Sequence, residues 1–235
     1  MPLNLRNRLN GLPKWPRRLI KLLAVLCLLP PLLTFIYALV PPPVTNLMLF
    51  RALQGNGINK DWVGLSDISR HLPVAVITSE DARFCAHHGV DWVEVQAVVE
   101  QAIDEEDGPS RGASTISMQT AKNLFLWEGR SIIRKGLEVP LALVMDGLWT
   151  KRRMMEIYLN IVEWAPGVYG AEAASRHHFR KSAKDLTRRE AALLAAVLPN
   201  PIKRKAGKPS RLVKRIADRI QIRARSMEPY LTCLG

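Results

Sequence analysis

No acidic residue occurs in the first 60 positions of this 235-residue chain, which hold 8 Lys and Arg. Acids are also scarce after position 200, where 10 basic residues meet 2 acidic ones, whereas positions 61–200 carry 16 basic and 19 acidic residues. The formal charge of +13 therefore resides in the two ends, and the middle is slightly negative. That distribution argues against a nucleic-acid binder, which would present one basic face on its folded body. Cysteine is scarce too. Cys27, Cys85 and Cys233 form an odd set with no metal-like spacing, which supports neither a disulfide framework nor a zinc site. Cys27, inside an apolar run, reads as a small buried hydrophobe. There is no internal repeat, no HExxH pattern and no Walker-type loop, so the adjacent His87 and His88 read as turn residues ahead of Gly89, without a metal. Strand-like alternation is weak after residue 60, which leaves a mainly α body.

Charge is absent altogether from Leu22 to Val40, "LLAVLCLLPPLLTFIYALV". Nineteen helical residues just cross a hydrocarbon core of about 30 Å, and the central Pro30-Pro31 predicts a kink of the kind membrane helices tolerate. Six cations precede the run, and only Arg51 and Lys60 follow within twenty residues, which places the N-terminus in the cytoplasm and the body outside. No small-x-small cleavage site precedes Pro41-Pro42-Pro43, so the span reads as a retained anchor rather than a signal peptide, and the prolines as a stiff spacer. The chain divides into a basic tail (1–18), an anchor (19–40), a linker (41–59), a body (60–205) and a basic amphipathic segment (206–235).

Helical periodicity runs through the body. Asp91 with Glu94 opens a helix striped by Trp92, Val95, Val98, Val99 and Ala102. Thr187 and Glu190 have capping-box spacing ahead of the Ala- and Leu-rich "AALLAAVLPNP", which predicts a buried central helix. Ile133, Leu137, Leu141, Val144 and Leu148 recur at helical spacing, as do Met154, Ile157, Tyr158 and Ile161. Pro140 predicts a kink or break near Glu138. The tail from Ser210 to Arg225 aligns Leu212, Val213, Ile216 and Ile220.

Several clusters can carry chemistry. Glu80 and Asp81 are adjacent and cannot share a helix face, so one can face a cleft as general base or acid while the other serves structure. Arg130, Arg134 and Glu138 fall at i, i+4 and i+8, with Lys135 three before Glu138. This set fits either a solvated ion-pair face or an anion clamp suited to a phosphate or diphosphate. In "GASTISMQTAKNLF", Ser114 or Thr115 can cap a helix that carries Gln119, Lys122 and Asn123, an arrangement that can also receive an anion.

Five blocks in order, "SEDARFCAHHGVD", "GASTISMQTAKNLFLW", "RSIIRKGLE", "KRRMMEIYLN" and "GVYGAEAASRHHFRKSAKDLTRREAALLAAVLPNP", resemble the membrane-bound domain that polymerises peptidoglycan, glycosyltransferase family 51, in its monofunctional form. The resemblance implies a mainly helical, lysozyme-like two-lobed fold in the inner membrane, single-pass, with its catalytic domain periplasmic. It implies inverting transfer of a glycan strand held on undecaprenyl diphosphate to the disaccharide-pentapeptide precursor lipid II. Glu80 matches the catalytic base. Glu138 matches a second glutamate that assists the diphosphate directly or through a divalent cation, Mg or Mn. Lys122, Arg130, Arg134 and Lys135 match basic positions, and Ser114, Thr115, Gln119 and Asn123 match polar positions beside the sugars. Membrane lipid and cell-division or elongation proteins are the implied partners, and no cofactor is covalently bound.

The chain departs from the pattern at Met118, where a glutamine is usual and an amide near the site is lost. Pro140 also departs, with the capacity to shift Glu138, and His177-His178-Phe179 replaces a usual aromatic pair. Two other readings compete: a lysozyme-like lytic hydrolase, which would have no diphosphate for the cations to hold, and a non-catalytic membrane-anchored scaffold.

Overall fold

The computed structural model describes residues 13–104, 112–129, 131–227, 229 and 231–234. Helix α1 (Lys14–Tyr37) is long and apolar enough to cross a membrane. It runs on through Pro30 and Pro31, and Thr34 donates its hydroxyl to the Pro30 carbonyl at 2.8 Å. Its last turn is fastened to the body. The Trp149 indole donates to the Thr34 carbonyl at 2.8 Å, Arg153 donates to the Tyr37 carbonyl through Nε and Nη2, and the Tyr37 ring stacks on Phe125. These bonds engage carbonyls of the last turn of α1, where helix acceptors run short of partners, although the Thr34 carbonyl also accepts the Ala38 N–H at 3.1 Å. Cys27 is exposed on α1 rather than buried, because the protein's own core ends where the anchor leaves it.

The expected spacer is folded onto the body. Lys60 Nζ donates to the Pro42 and Pro43 carbonyls, and residues Asn46–Leu53 form a helix, α2, capped by Thr45. Leu47 and Met48 bury its inner side, and Asn46 Nδ2 donates to the Phe125 carbonyl at 2.8 Å. The stiff-spacer reading of the prolines gave no sign of this short apolar face.

The body is built from α3 (His71–Glu80), α4 (Trp92–Asp104), α5 (Ile116–Phe125), α6 (Ile132–Leu148), α7 (Lys151–Ile161), α8 (Ala171–Phe179), α9 (Arg188–Val197) and α10 (Arg211–Met227). The predicted capping box is present at Thr187 and Glu190, and α9 buries every residue from Ala191 to Val197. Small side chains let its neighbours approach closely: α9 packs on α3 and α10, while α5 packs on α6 and α7. A small sheet joins β1 (Asn59–Lys60), β2 (Glu163–Ala165) and β3 (Val168–Tyr169) in the order β1-β3-β2. Strand β1 lies parallel to β3 with Asn59 opposite Val168, and β2 is antiparallel to β3 with Glu163 opposite Tyr169.

Three expectations are corrected. Helix α6 continues through Pro140 without a break, since a proline forfeits one hydrogen bond that the neighbouring turns and tertiary packing can outweigh. Cys85 and Cys233 are joined by a disulfide across 148 positions, a pairing that spacing alone could not reveal because the fold brings the two segments together. On α10, Val213 and Ile220 are buried and Ile216 packs against the core as expected, Ala217 joins them, and Leu212 is exposed rather than part of that side.

Candidate active site

Helix α3 ends at Glu80, and the backbone turns away at Asp81, which has φ −160° and ψ 72°. The two carboxylates therefore diverge. Asp81 is buried and structural: its Oδ1 and Oδ2 lie 2.9 and 3.0 Å from His87 Nε2, and Oδ2 accepts the Ile116 N–H at 2.9 Å. It thus receives the first turn of α5, whose cap is Thr115. The Thr115 oxygen accepts from Met118 N, and its hydroxyl donates to the Gly89 carbonyl at 2.6 Å. Gly89 has φ +75°, and a Cβ there would lie 2.7 Å from the Ala142 carbonyl oxygen, so this turn requires glycine to approach α6. His87 is a buried partner of Asp81 and His88 is exposed, so the pair forms no common ligand set.

Glu80 has other partners. It lines a cavity of about 480 Å³ together with Ser114, Thr115 and Gln119, although Asp81 borders the same cavity. Burial raises its pKa above the ordinary carboxylate range, opposed by the Gln119 hydrogen bond, the Ser79 hydroxyl and the Lys122 charge. Gln119 Nε2 donates to Glu80 Oε2 at 3.1 Å, and Gln119 Oε1 accepts from the Tyr158 hydroxyl at 2.9 Å. Tyr158 is fully buried. Burial first, then the Glu80 and Asp81 charges, push its pKa well up, so it remains a donor. Its hydroxyl fixes which end of the Gln119 amide faces Glu80.

Tyr158 was legible only as one member of an apolar stripe. A phenol among Met and Ile residues carries a polar tip that needs a partner when buried, and that was the available signal. Tyr158→Phe is expected to leave Gln119 free to turn over, lowering turnover about tenfold at a stability cost of about 1 kcal/mol. Steady-state kinetics beside thermal unfolding would check both, and unchanged turnover would remove Tyr158 from the site.

A second cavity, of about 220 Å³, is lined by Gln119, Lys122, Asn123, Glu128 and Arg134. Gln119 and Pro199 line both cavities, so the carboxylate and the cations share a wall. Burial lowers the Lys122 pKa, and the Glu138 charge opposes that shift. Glu138 is only 2% exposed and lines neither cavity; Arg134 Nη1 donates to one of its oxygens and Lys135 Nζ to the other, at 3.0 Å for the lysine. Lys135 Nζ also donates to Ser114 Oγ at 2.9 Å, linking α6 to the loop before α5. The structure therefore brings Glu80, Ser114, Thr115, Gln119, Lys122, Asn123, Arg134, Lys135 and Glu138 into one region. Arg130 lies outside the described residues. A third opening, of about 550 Å³, includes Arg70, Arg152 and Lys184 but no carboxylate that could act as a base.

Met118 corrects a further expectation. It is buried with Val90 and Ala142 between α5 and α6, directed away from both cavities, so the missing amide is a matter of packing rather than of substrate contact. Cations held around a buried carboxylate, next to a cavity with its own elevated-pKa glutamate, fit transfer away from an anionic leaving group.

The transglycosylase family profile matches residues 47–228. The chain belongs to the transglycosylase family. Similar proteins include the biosynthetic peptidoglycan transglycosylases of Agrobacterium fabrum, 53% identical over 93% of this chain and 96% of the relative, and of Rhizobium meliloti, 52% identical over 93% and 92%. That of Brucella suis is 50% identical over 92% of this chain and 96% of the relative. The transglycosylase match begins within α2 and extends through α10, so it takes in part of the linker (47–59) and part of the basic C-terminal segment (206–228).

Proposed function

We propose that this transglycosylase polymerises lipid II into the glycan strands of peptidoglycan. Glu80, ionised, takes the proton of the acceptor GlcNAc 4-hydroxyl. The freed oxygen forms a bond to the MurNAc anomeric carbon of the growing strand, and the bond from that carbon to the lipid diphosphate breaks with inversion. The electron pair leaves with undecaprenyl diphosphate, whose charge meets Lys122 and Arg134. The observation that carries this reading is the wall, Gln119 and Pro199, shared by the Glu80 cavity and the cation-lined cavity. Base and leaving-group stabilisation are then close enough to act on one substrate.

The residues do not fit a resident divalent ion. Both Glu138 oxygens are engaged by cations, and among the described residues no three His, Cys, Asp or Glu side chains form a ligand group. The side-chain cations are therefore assigned the neutralising role, with Lys135 and Arg134 also holding the Glu138 side chain in place.

Placement at the inner membrane, body outward, follows the same logic. The α1 anchor, the exposed Trp92, Val93 and Ile103 on α4, and the exposed Ile132 and Ile133 on α6 suit an enzyme whose substrate carries a long lipid tail. Purified full-length protein supplied with lipid II and chelator is expected to yield glycan strands on a gel. Shortening of finished sacculi without strand growth would establish a lytic hydrolase in its place, and dependence on added Mg or Mn would overturn the assignment of neutralisation to Lys122 and Arg134.

A further inference from the structure

Arg223 takes no part in the chemistry just described, yet it lines the Glu80 cavity. It comes from α10, beyond the five sequence blocks that carry the family resemblance. Its position is set by packing: Val213, Ala217 and Ile220 bury α10 against α9 and against α3, the helix that ends in Glu80. The disulfide fastens the same two segments again, since Cys85 follows Glu80 by 5 residues and Cys233 follows Arg223 by 10.

Other charges of this cavity are engaged. Asp81 is held by His87, and Asp91 Oδ2 pairs with Arg83 Nε at 3.0 Å. Arg223, by contrast, has an exposed side chain and no ion-pair partner among the described residues. A solvated guanidinium is stable as it stands, and it gains a charge-assisted, bidentate bond when a carboxylate arrives. The leaving diphosphate is not that anion, because it is assigned to the second cavity, which Arg223 does not line. What enters the Glu80 cavity is the acceptor, which carries two kinds of anion beside its sugars, its own lipid diphosphate and the carboxylates of its peptide, and a single guanidinium matches one carboxylate.

We infer that Arg223 is a specificity-determining residue that binds a carboxylate of the peptide borne by the acceptor, so that the enzyme prefers an acidic peptide to an amidated one. This rests on the lipid II reading above. The test compares kcat/KM of the full-length enzyme for lipid II and for lipid II with amidated peptide carboxylates, in the parent and in Arg223→Ala, Arg223→Glu and Arg223→Lys. The parent's preference for the acidic substrate is expected to fall about tenfold in Arg223→Ala, to invert in Arg223→Glu and to be largely retained in Arg223→Lys. Equal losses on both substrates in Arg223→Ala would assign the residue to the diphosphate or to structure and overturn the inference, as would an unchanged preference. Thermal unfolding separates a folding defect, and circular dichroism of Arg223→Lys gives a second control. A parent that polymerises neither substrate would overturn the lipid II reading itself, whereas an active parent with indifferent variants would overturn only the role of Arg223.

Discussion

Glu80→Gln is expected to lower lipid II polymerisation by about three orders of magnitude while leaving the protein folded and no less stable. The loss follows from the role of the carboxylate: glutamine keeps the shape and can still meet Gln119, but it cannot take up the acceptor proton, and a positioned general base contributes about 10²- to 10⁴-fold. The stability follows from burial. Desolvation raises the Glu80 pKa, so the folded protein holds that proton more tightly than the unfolded chain does. As pH rises through the window between the two values, the unfolded state releases its proton first and the fold loses stability; Glu80→Gln lacks that loss. Activity has the opposite slope. The parent's rate should fall as pH drops through the raised Glu80 pKa, on a limb above the ordinary carboxylate range, and residual turnover of the glutamine variant should lack that limb. A variant that polymerises like the parent would show that Glu80 is not the base. Absence of polymerisation in both proteins would favour an anchored scaffold.

The parts of this site that sequence exposes are those fixed by local rules. Glu80 and Asp81 had to diverge because neighbours on a helix cannot share a face, and the turn at Asp81 separates them as required. The Thr187 and Glu190 capping box and the buried run after it are similarly local. Arg134, Lys135 and Glu138, taken alone, favoured a solvated ion-pair face over an anion clamp. The structure shows elements of both: Glu138 is buried under its two partners, and only Arg134 opens onto the cation-lined cavity.

What sequence did not expose depends on distant segments meeting. Met118 looked like a lost amide until α6 placed Ala142 against it. Tyr158 looked like core until Gln119, thirty-nine positions away, received its hydroxyl. Arg223 belonged to a tail whose charge suggested only surface, until α10 packed on α3. In each case the residue type was informative and its direction was not, because direction is decided by the neighbouring helix.

Breaking the Cys85–Cys233 bond is expected to cost about 3 kcal/mol of stability, lowering Tm by about 6–12 °C, because the bond closes a loop of 148 positions in the unfolded chain. The effect should exceed that of a distant surface change, since the bond also holds the segment from which the Leu234 carbonyl accepts Arg152 Nη1 at 2.8 Å. Cys85→Ser and mild reduction of the parent should give the same shift, and reduction should add nothing to the Cys85→Ser variant. The bond also bears on where the body lies. Such a disulfide persists in an oxidising compartment and would be reduced in the cytoplasm. Protein taken from cells under acid quench, denatured and treated with a mass-tagged maleimide should therefore carry one tag, on Cys27, the free thiol of α1. It should carry three after reduction. Three tags without reductant would show that the pair is open in the cell and would count against the outward placement of the catalytic body.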